Sequence, residues 1–315
     1  MKQPLRCLRT VGALRPSLWR HRAALLAIRL VARAISLRRV EDAAALVCRV
    51  TGWFSAARRQ AFAERVETVS HVLAHQRVDA SRVRMTGILE TLLDWKVYFA
   101  DPGYREWDSI DRIAQEIRRR IIETRARFPD RPIVLGPFHY ASQYVNILVC
   151  ERLRIHLGMP SLSVVSAVGD DRYGEDDARI PNIRRLYSYR DGKGASRGVI
   201  HALRQQRLVV LFADAVPSAL SSSPMATVGV ELFGRKARIY HGVFRLGAAV
   251  DALLLPYYLR FADGRFTLYA FEAIRIREEQ APQRLAADIE QAFAANHAQW
   301  LPSDCLNFYY FSPAK

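Results

Sequence analysis

The run Ile133-Val-Leu135, followed at once by Gly136-Pro137 and then by a helical stripe, limits the fold more than any other stretch. A short apolar run of this kind forms a buried strand. Gly-Pro is a strong structure breaker, so the strand is expected to stop there. Val145, Ile147, Leu148, Leu153 and Ile155 then recur on one stripe of a helix. His139 falls at the corner between the two. In open α/β sheets, ligands bind beyond the carboxyl ends of the strands. The unperturbed pKa of an imidazole lies near neutrality, which suits a general base. The competing reading is a histidine that caps the helix or satisfies a polar group and meets no substrate.

From Arg131 onward strand and helix signals alternate, which argues for α/β layers. Ser161–Val168, Leu208–Ala213, Leu253–Phe261 and Phe266–Ile274 read as strands. The helices read as Val199–Gln206, Gly242–Val250 and Pro282–Trp300. Asp214 is a second polar residue at a strand end. The stretch Asp191–Gly198 resembles a phosphate-binding loop opening a helix, although the spacing is not that of a Walker A motif. Lys193 and Arg197 could assist backbone N–H groups there in holding an anion; a plain surface turn fits equally. Gly234 makes a turn beside Arg235, Lys236 and Arg238. Ser218–Ser223 reads as a loop and Phe308–Phe311 as an aromatic tail packed on the core.

The half before Arg131 is helical, over Glu41–Arg49, Ala56–Leu73, Ser81–Phe99 and Trp107–Phe128. Ser81 is a candidate N-cap, and Glu90, Asp94 and Trp95 read as surface and packing. Ahead of these, Met1–Val40 holds ten Lys or Arg and no acid. Arg22, Arg29 and Arg33 recur at helical spacing after Trp19, with Leu26, Leu30 and Leu37 able to share the opposite side. The charges interrupt the apolar run too often for a spanning helix. The segment is expected to lie on a membrane surface; a solvated helix, a transit peptide and a nucleic-acid contact are the alternatives. The boundaries read as 1–40, 41–128 and 129–315, with 41–315 able to form one domain.

Composition narrows the partners. The 47 Lys plus Arg against 31 Asp plus Glu leave a formal net charge of +16, which calls for an anionic partner. Cys7, Cys48, Cys150 and Cys305 are far apart, with neither a CxxC pair nor a disulfide framework. No metal-ligand spacing occurs among the histidines, so no metal is expected. RNP, KH and zinc-finger signatures are lacking, which leaves nucleic acid supported by charge alone.

The sequence from about residue 20 to 310 resembles the bacterial lipid A biosynthesis acyltransferases, the lauroyl and myristoyl transferases related to glycerolipid acyltransferases. The likeness is densest over Gly198–Pro256, with Leu-Phe-Ala-Asp214 and Leu-Phe-Gly-Arg235-Lys-Ala-Arg238-Ile-Tyr-His-Gly242. It implies a glycerolipid-acyltransferase-like fold, with a mixed central sheet flanked by helices and a helical N-terminal region. It implies a peripheral enzyme on the cytoplasmic face of the inner membrane. Such an enzyme moves a fatty acyl chain from acyl carrier protein or acyl-coenzyme A to a lipid or glycolipid hydroxyl, with no cofactor beyond that thioester. In the family a histidine is followed, after four residues, by an Asp or Glu that orients it. His139 matches the first position; Tyr144 stands at the second. Three arrangements are open. Asp214 or another acid supplies the charge from elsewhere, Tyr144 orients the ring, or the chain binds lipid without reacting. The resemblance also implies that Arg190, Asp214, Arg235 and Arg238 line one mouth with His139, the arginines holding phosphate.

Overall fold

The computed structural model describes residues 18–73, 77–99, 107–166, 183–187, 193–215 and 226–304. Among them the molecule is a mixed α/β structure with a central sheet flanked by helices. The chain begins with the helices α1 (Leu18–Ala34), α2 (Val40–Phe54), α3 (Ala56–Val72), α4 (Ala80–Phe99) and α5 (Asp108–Arg127). There follow β1 (Ile133–Pro137), α6 (Gln143–His156), β2 (Leu162–Ser166), β3 (Ile183–Tyr187), α7 (Lys193–Gln205) and β4 (Leu208–Leu211). A hairpin of β5 (Thr227–Leu232) and β6 (Arg235–Tyr240) leads into α8 (Gly242–Ala248). The chain then forms β7 (Leu253–Ala262), β8 (Arg265–Ala270), β9 (Ile274–Arg275) and α9 (Ala281–Asn296).

The sheet runs β3-β2-β4-β1-β7-β8, with β9 also paired to β7. The strands β3, β2, β4, β1 and β7 are parallel, while β8 and β9 are antiparallel to β7. Side chains alternate across the pleat, so each central strand feeds two cores. Ile133, Leu135, Leu208 and Val210 join the core under α1, α2, α4, α5 and α6. Val134, Val209 and Leu211 join the core under α3, α7, α8 and α9. Burial on both faces explains why these strands are continuous apolar runs.

Several expectations shift. Strand β1 does not stop before Gly136-Pro137 but runs through both, opposite Pro256 and Tyr257. The reason is packing: a Cβ at Gly136 would lie 2.7 Å from Leu254 Cδ1 and 3.1 Å from Ala213 Cβ. The glycine admits neighbouring strands rather than ending one. Asp79, not Ser81, caps α4, accepting from the backbone N–H groups of Ser81 and Arg82. Asp94 is fully buried and accepts from Ser142 Oγ at 2.6 Å, so it is no surface residue. Leu37 is buried in the turn after α1 and does not share an outer face with Leu26 and Leu30. Helix α7 starts at Lys193, so most of the stretch read as a phosphate loop is helix.

Candidate functional site

Strands β1 and β4 pair as Ile133↔Leu208, Val134↔Val209 and Leu135↔Val210, a constant offset of 75 positions. The same offset carried past both strand ends sets His139 beside Asp214. Ala213 N–H donates to Pro137 carbonyl at 3.1 Å, which holds the two ends together beyond the ladder. Parallel pairing and equal overrun thus create the site.

Asp214 is 1% exposed. A buried carboxylate is costly unless hydrogen-bonded, and this one is amply supplied. His139 backbone N–H donates to it at 2.8 and 3.0 Å. Trp300 Nε1–H donates to Oδ2 at 2.9 Å. The His139 ring meets Oδ1 through Nδ1 at 2.6 Å. An ionised carboxylate only accepts, so Nδ1 carries the proton and the lone pair sits on Nε2. The ring stacks on Phe212 at 4.4 Å between centroids, and 17% of the side chain remains exposed. Among the described residues no protein group engages Nε2. The imidazole is oriented on one side and open on the other.

The corner itself is held rigidly. Phe138 N–H donates to Tyr257 carbonyl at 2.8 Å, Leu301 N–H to His139 carbonyl at 2.8 Å, and Ala141 N–H to Gln299 carbonyl at 3.0 Å. Ala141 takes a positive φ of 58°, a conformation non-glycine residues seldom adopt. Ser142 then caps α6 by accepting from Val145 N–H at 3.0 Å. Trp300, fully buried, packs edge-on to Phe293 at 5.2 Å. The C-terminal segment therefore clamps both members of the pair.

The other sequence candidates lie as follows. Tyr144 is inside the core with its ring edge-on to Tyr98 at 4.3 Å, while Nδ1 of the imidazole is engaged by Asp214. Arg190 lies outside the described residues, as do 218–223 and 308–311. Lys193 begins α7, and Arg197 is exposed on its second turn. Gly234, with φ +67°, and Phe233, with φ 52°, form the two-residue turn between β5 and β6. Positive φ at both positions is the turn that suits a tight hairpin. Arg235 Nη1 meets His71 Nε2 of α3 at 3.0 Å. Arg238 Nε donates to Thr227 Oγ1 on the facing strand at 3.0 Å. Three apart on one strand, these two arginines project to opposite faces of the hairpin. Cys150 is sealed in the core, where burial pushes its thiol up to about 12.

Trp300 is the site residue that sequence reasoning missed. It lies 86 positions from Asp214, and no local spacing announces the contact. No protein-family model matches this chain, and comparison with curated proteins finds no match.

Proposed function

We propose that the protein is an acyltransferase that works at a membrane surface, with His139 as general base. One observation carries the reading: Asp214, three residues past the end of β4, supplies the carboxylate that the stretch after His139 lacks, bound to Nδ1 at 2.6 Å. In this reading Nε2 removes the proton from the acceptor hydroxyl. The oxygen attacks the thioester carbonyl, forming the ester C–O bond. The C–S bond then breaks, and the leaving thiolate takes the proton back from the imidazolium. Asp214 keeps the ring in one tautomer and balances the positive charge that forms on it. The donor is acyl carrier protein or acyl-coenzyme A, and the acceptor a lipid or glycolipid hydroxyl.

Membrane association draws support from two helix faces. Leu26 and Leu30 of α1 are 58% and 60% exposed, while Arg29 leans over Phe99. On α2, Leu46, Val47, Val50, Trp53 and Phe54 share one outward stripe, the last two 75% and 85% exposed. That stripe is more apolar than water-facing helices need to be, and its size suits insertion into a headgroup layer. No described helix is long and apolar enough to cross a membrane.

The test is thiol release by full-length protein mixed with vesicles of total bacterial lipid and palmitoyl thioesters of acyl carrier protein or coenzyme A. Release with one donor, abolished by His139→Ala, is the expected result. No release with either donor, alongside unchanged vesicle binding by His139→Ala, would replace the enzyme by a lipid-binding protein.

A further inference from the structure

The hairpin of β7 and β8 extends past the end of β1 and carries a second feature. One of its faces carries three cross-strand pairs in register: Tyr258 with Tyr269, Arg260 with Thr267, and Ala262 with Arg265. Asp263-Gly264 closes the hairpin, and Gly264 takes φ +73°. A Cβ there would lie 2.7 Å from Arg38 Cα and 2.8 Å from Arg38 N. Only glycine allows the turn after α1 to sit so close. Glu41 fastens the same junction by accepting from Asp263 N–H at 2.9 Å.

The outcome is a cavity of about 470 Å³ lined by Arg38, Arg260 and Arg265, with Asp263, Thr267 and Tyr269 at its edge. Three guanidiniums face one carboxylate. Among the described residues none of the three makes an ion pair or a hydrogen bond to another protein group. Three guanidiniums outnumber the Asp263 carboxylate that lines the cavity with them, and surplus like charge repels itself. A fold that gathers them is stabilised by an anion that enters. Guanidinium forks match phosphate oxygens, and a phosphate offers as many peripheral oxygens as there are arginines here. Ring contacts run from the cavity edge toward the dyad: Tyr269 stacks on Tyr258 at 4.9 Å, and Tyr258 lies tilted against Tyr140, the neighbour of His139, at 4.8 Å.

We propose that this cavity is a phosphate-binding site that holds a phosphorylated ligand at the tip of the β7–β8 hairpin. As a statement about the acceptor it rests on the acyl-transfer reading; as a binding site it does not. The cavity stands where the surface helix α1 joins the core, so a phosphate at the level of lipid headgroups can reach it.

The experiment compares the full-length protein with Arg260→Gln/Arg265→Gln and with the single exposed change Arg38→Gln. The control is Arg277→Gln/Arg284→Gln, which removes two charges near the other end of β7. One arm is calorimetric titration with inorganic phosphate. The other is flotation with phosphatidylcholine vesicles with and without phosphatidic acid. The cavity variants should lose about tenfold or more in affinity while the control stays near wild type, since charged hydrogen bonds are each worth about that much. A loss in both arms assigns the site to phosphate as such; a loss confined to phosphatidic acid assigns it to a lipid headgroup. Equal behaviour of cavity and control variants in both arms overturns the proposal. Should Arg260→Gln/Arg265→Gln fail to fold, Arg38→Gln decides alone. His139→Ala should bind phosphate normally, so a missing transferase activity and a missing phosphate site are separate results.

Discussion

At the scale of single residues, the site depends on how one carboxylate is satisfied. Asp214 receives the His139 backbone, the His139 ring and the Trp300 indole. Asp214→Asn keeps the shape but offers an amide that can donate to Nδ1, favouring the wrong tautomer. Loss of the orienting acid in a comparable His–Asp pair costs about 10⁴ in kcat. We expect a fall of roughly 10²–10⁴ in thiol release, with about 1–3 kcal/mol lost in stability because the amide presents a donor where the carboxylate accepted. Trp300→Phe keeps most of the packing and removes one donor from Oδ2. It should cost about 1–3 kcal/mol of stability and lower thiol release, because the carboxylate that orients the ring loses one of its anchors. Thermal melts with single-turnover thiol release check both; unchanged release would reduce Trp300 to packing alone. His139 and Asp214 were each legible as polar residues at strand ends. Their partnership stood as one of three open arrangements, because choosing it depends on β1 and β4 being neighbours in register. Once that is known, the offset of 75 gives it directly.

At the scale of elements, β1 carries the argument, since its end aims the histidine. Its apolar start was legible, whereas its end was misread. Gly136-Pro137 has the composition of a break, yet it continues the strand against Pro256 and Tyr257. Local propensity cannot register that Leu254 of β7 and Ala213, just past β4, crowd the glycine. Gly136→Ala tests this. The added methyl must displace Leu254 Cδ1, a movable side-chain end, and press on Ala213, which precedes Asp214. Overpacking of this kind costs about 1–3 kcal/mol. We expect that loss in a urea titration, together with an activity loss larger than the fraction unfolded. Wild-type stability and activity would mean that the strands tolerate more separation than their register indicates. The helical first half was legible because its repeats are long. The cap of α4 slipped by two residues, since Asp79 and Ser81 satisfy the same composition rule.

At the scale of the whole molecule, the proposed membrane association raises the question of how a chain with a net charge of +16 would settle on a bilayer. Charge alone gives binding that salt removes, because the Debye length shrinks from about 10 Å at 0.1 M to about 3 Å at 1 M. Apolar insertion gives binding that salt leaves in place. The basic segment was legible in the sequence; the apolar face of α2 was not. A stripe at Leu46, Val47, Val50, Trp53 and Phe54 has the spacing of a core-facing helix. Only the packing of α2 reveals that Val40 and Ala44 face the core instead. The two contributions separate in one experiment. Wild-type protein should bind phosphatidylglycerol vesicles at low salt and keep part of that binding at 1 M sodium chloride. Trp53→Ser/Phe54→Ser leaves every charge in place. Burying each large apolar side chain is worth about 1.5–3 kcal/mol, so the double variant should lose at least about tenfold in affinity at high salt. At low salt, where the arginines act over longer distances, the difference should narrow. If the variant matched wild type at 1 M salt, the outward face of α2 would be facing water, and the protein would be held to its lipid by charge alone.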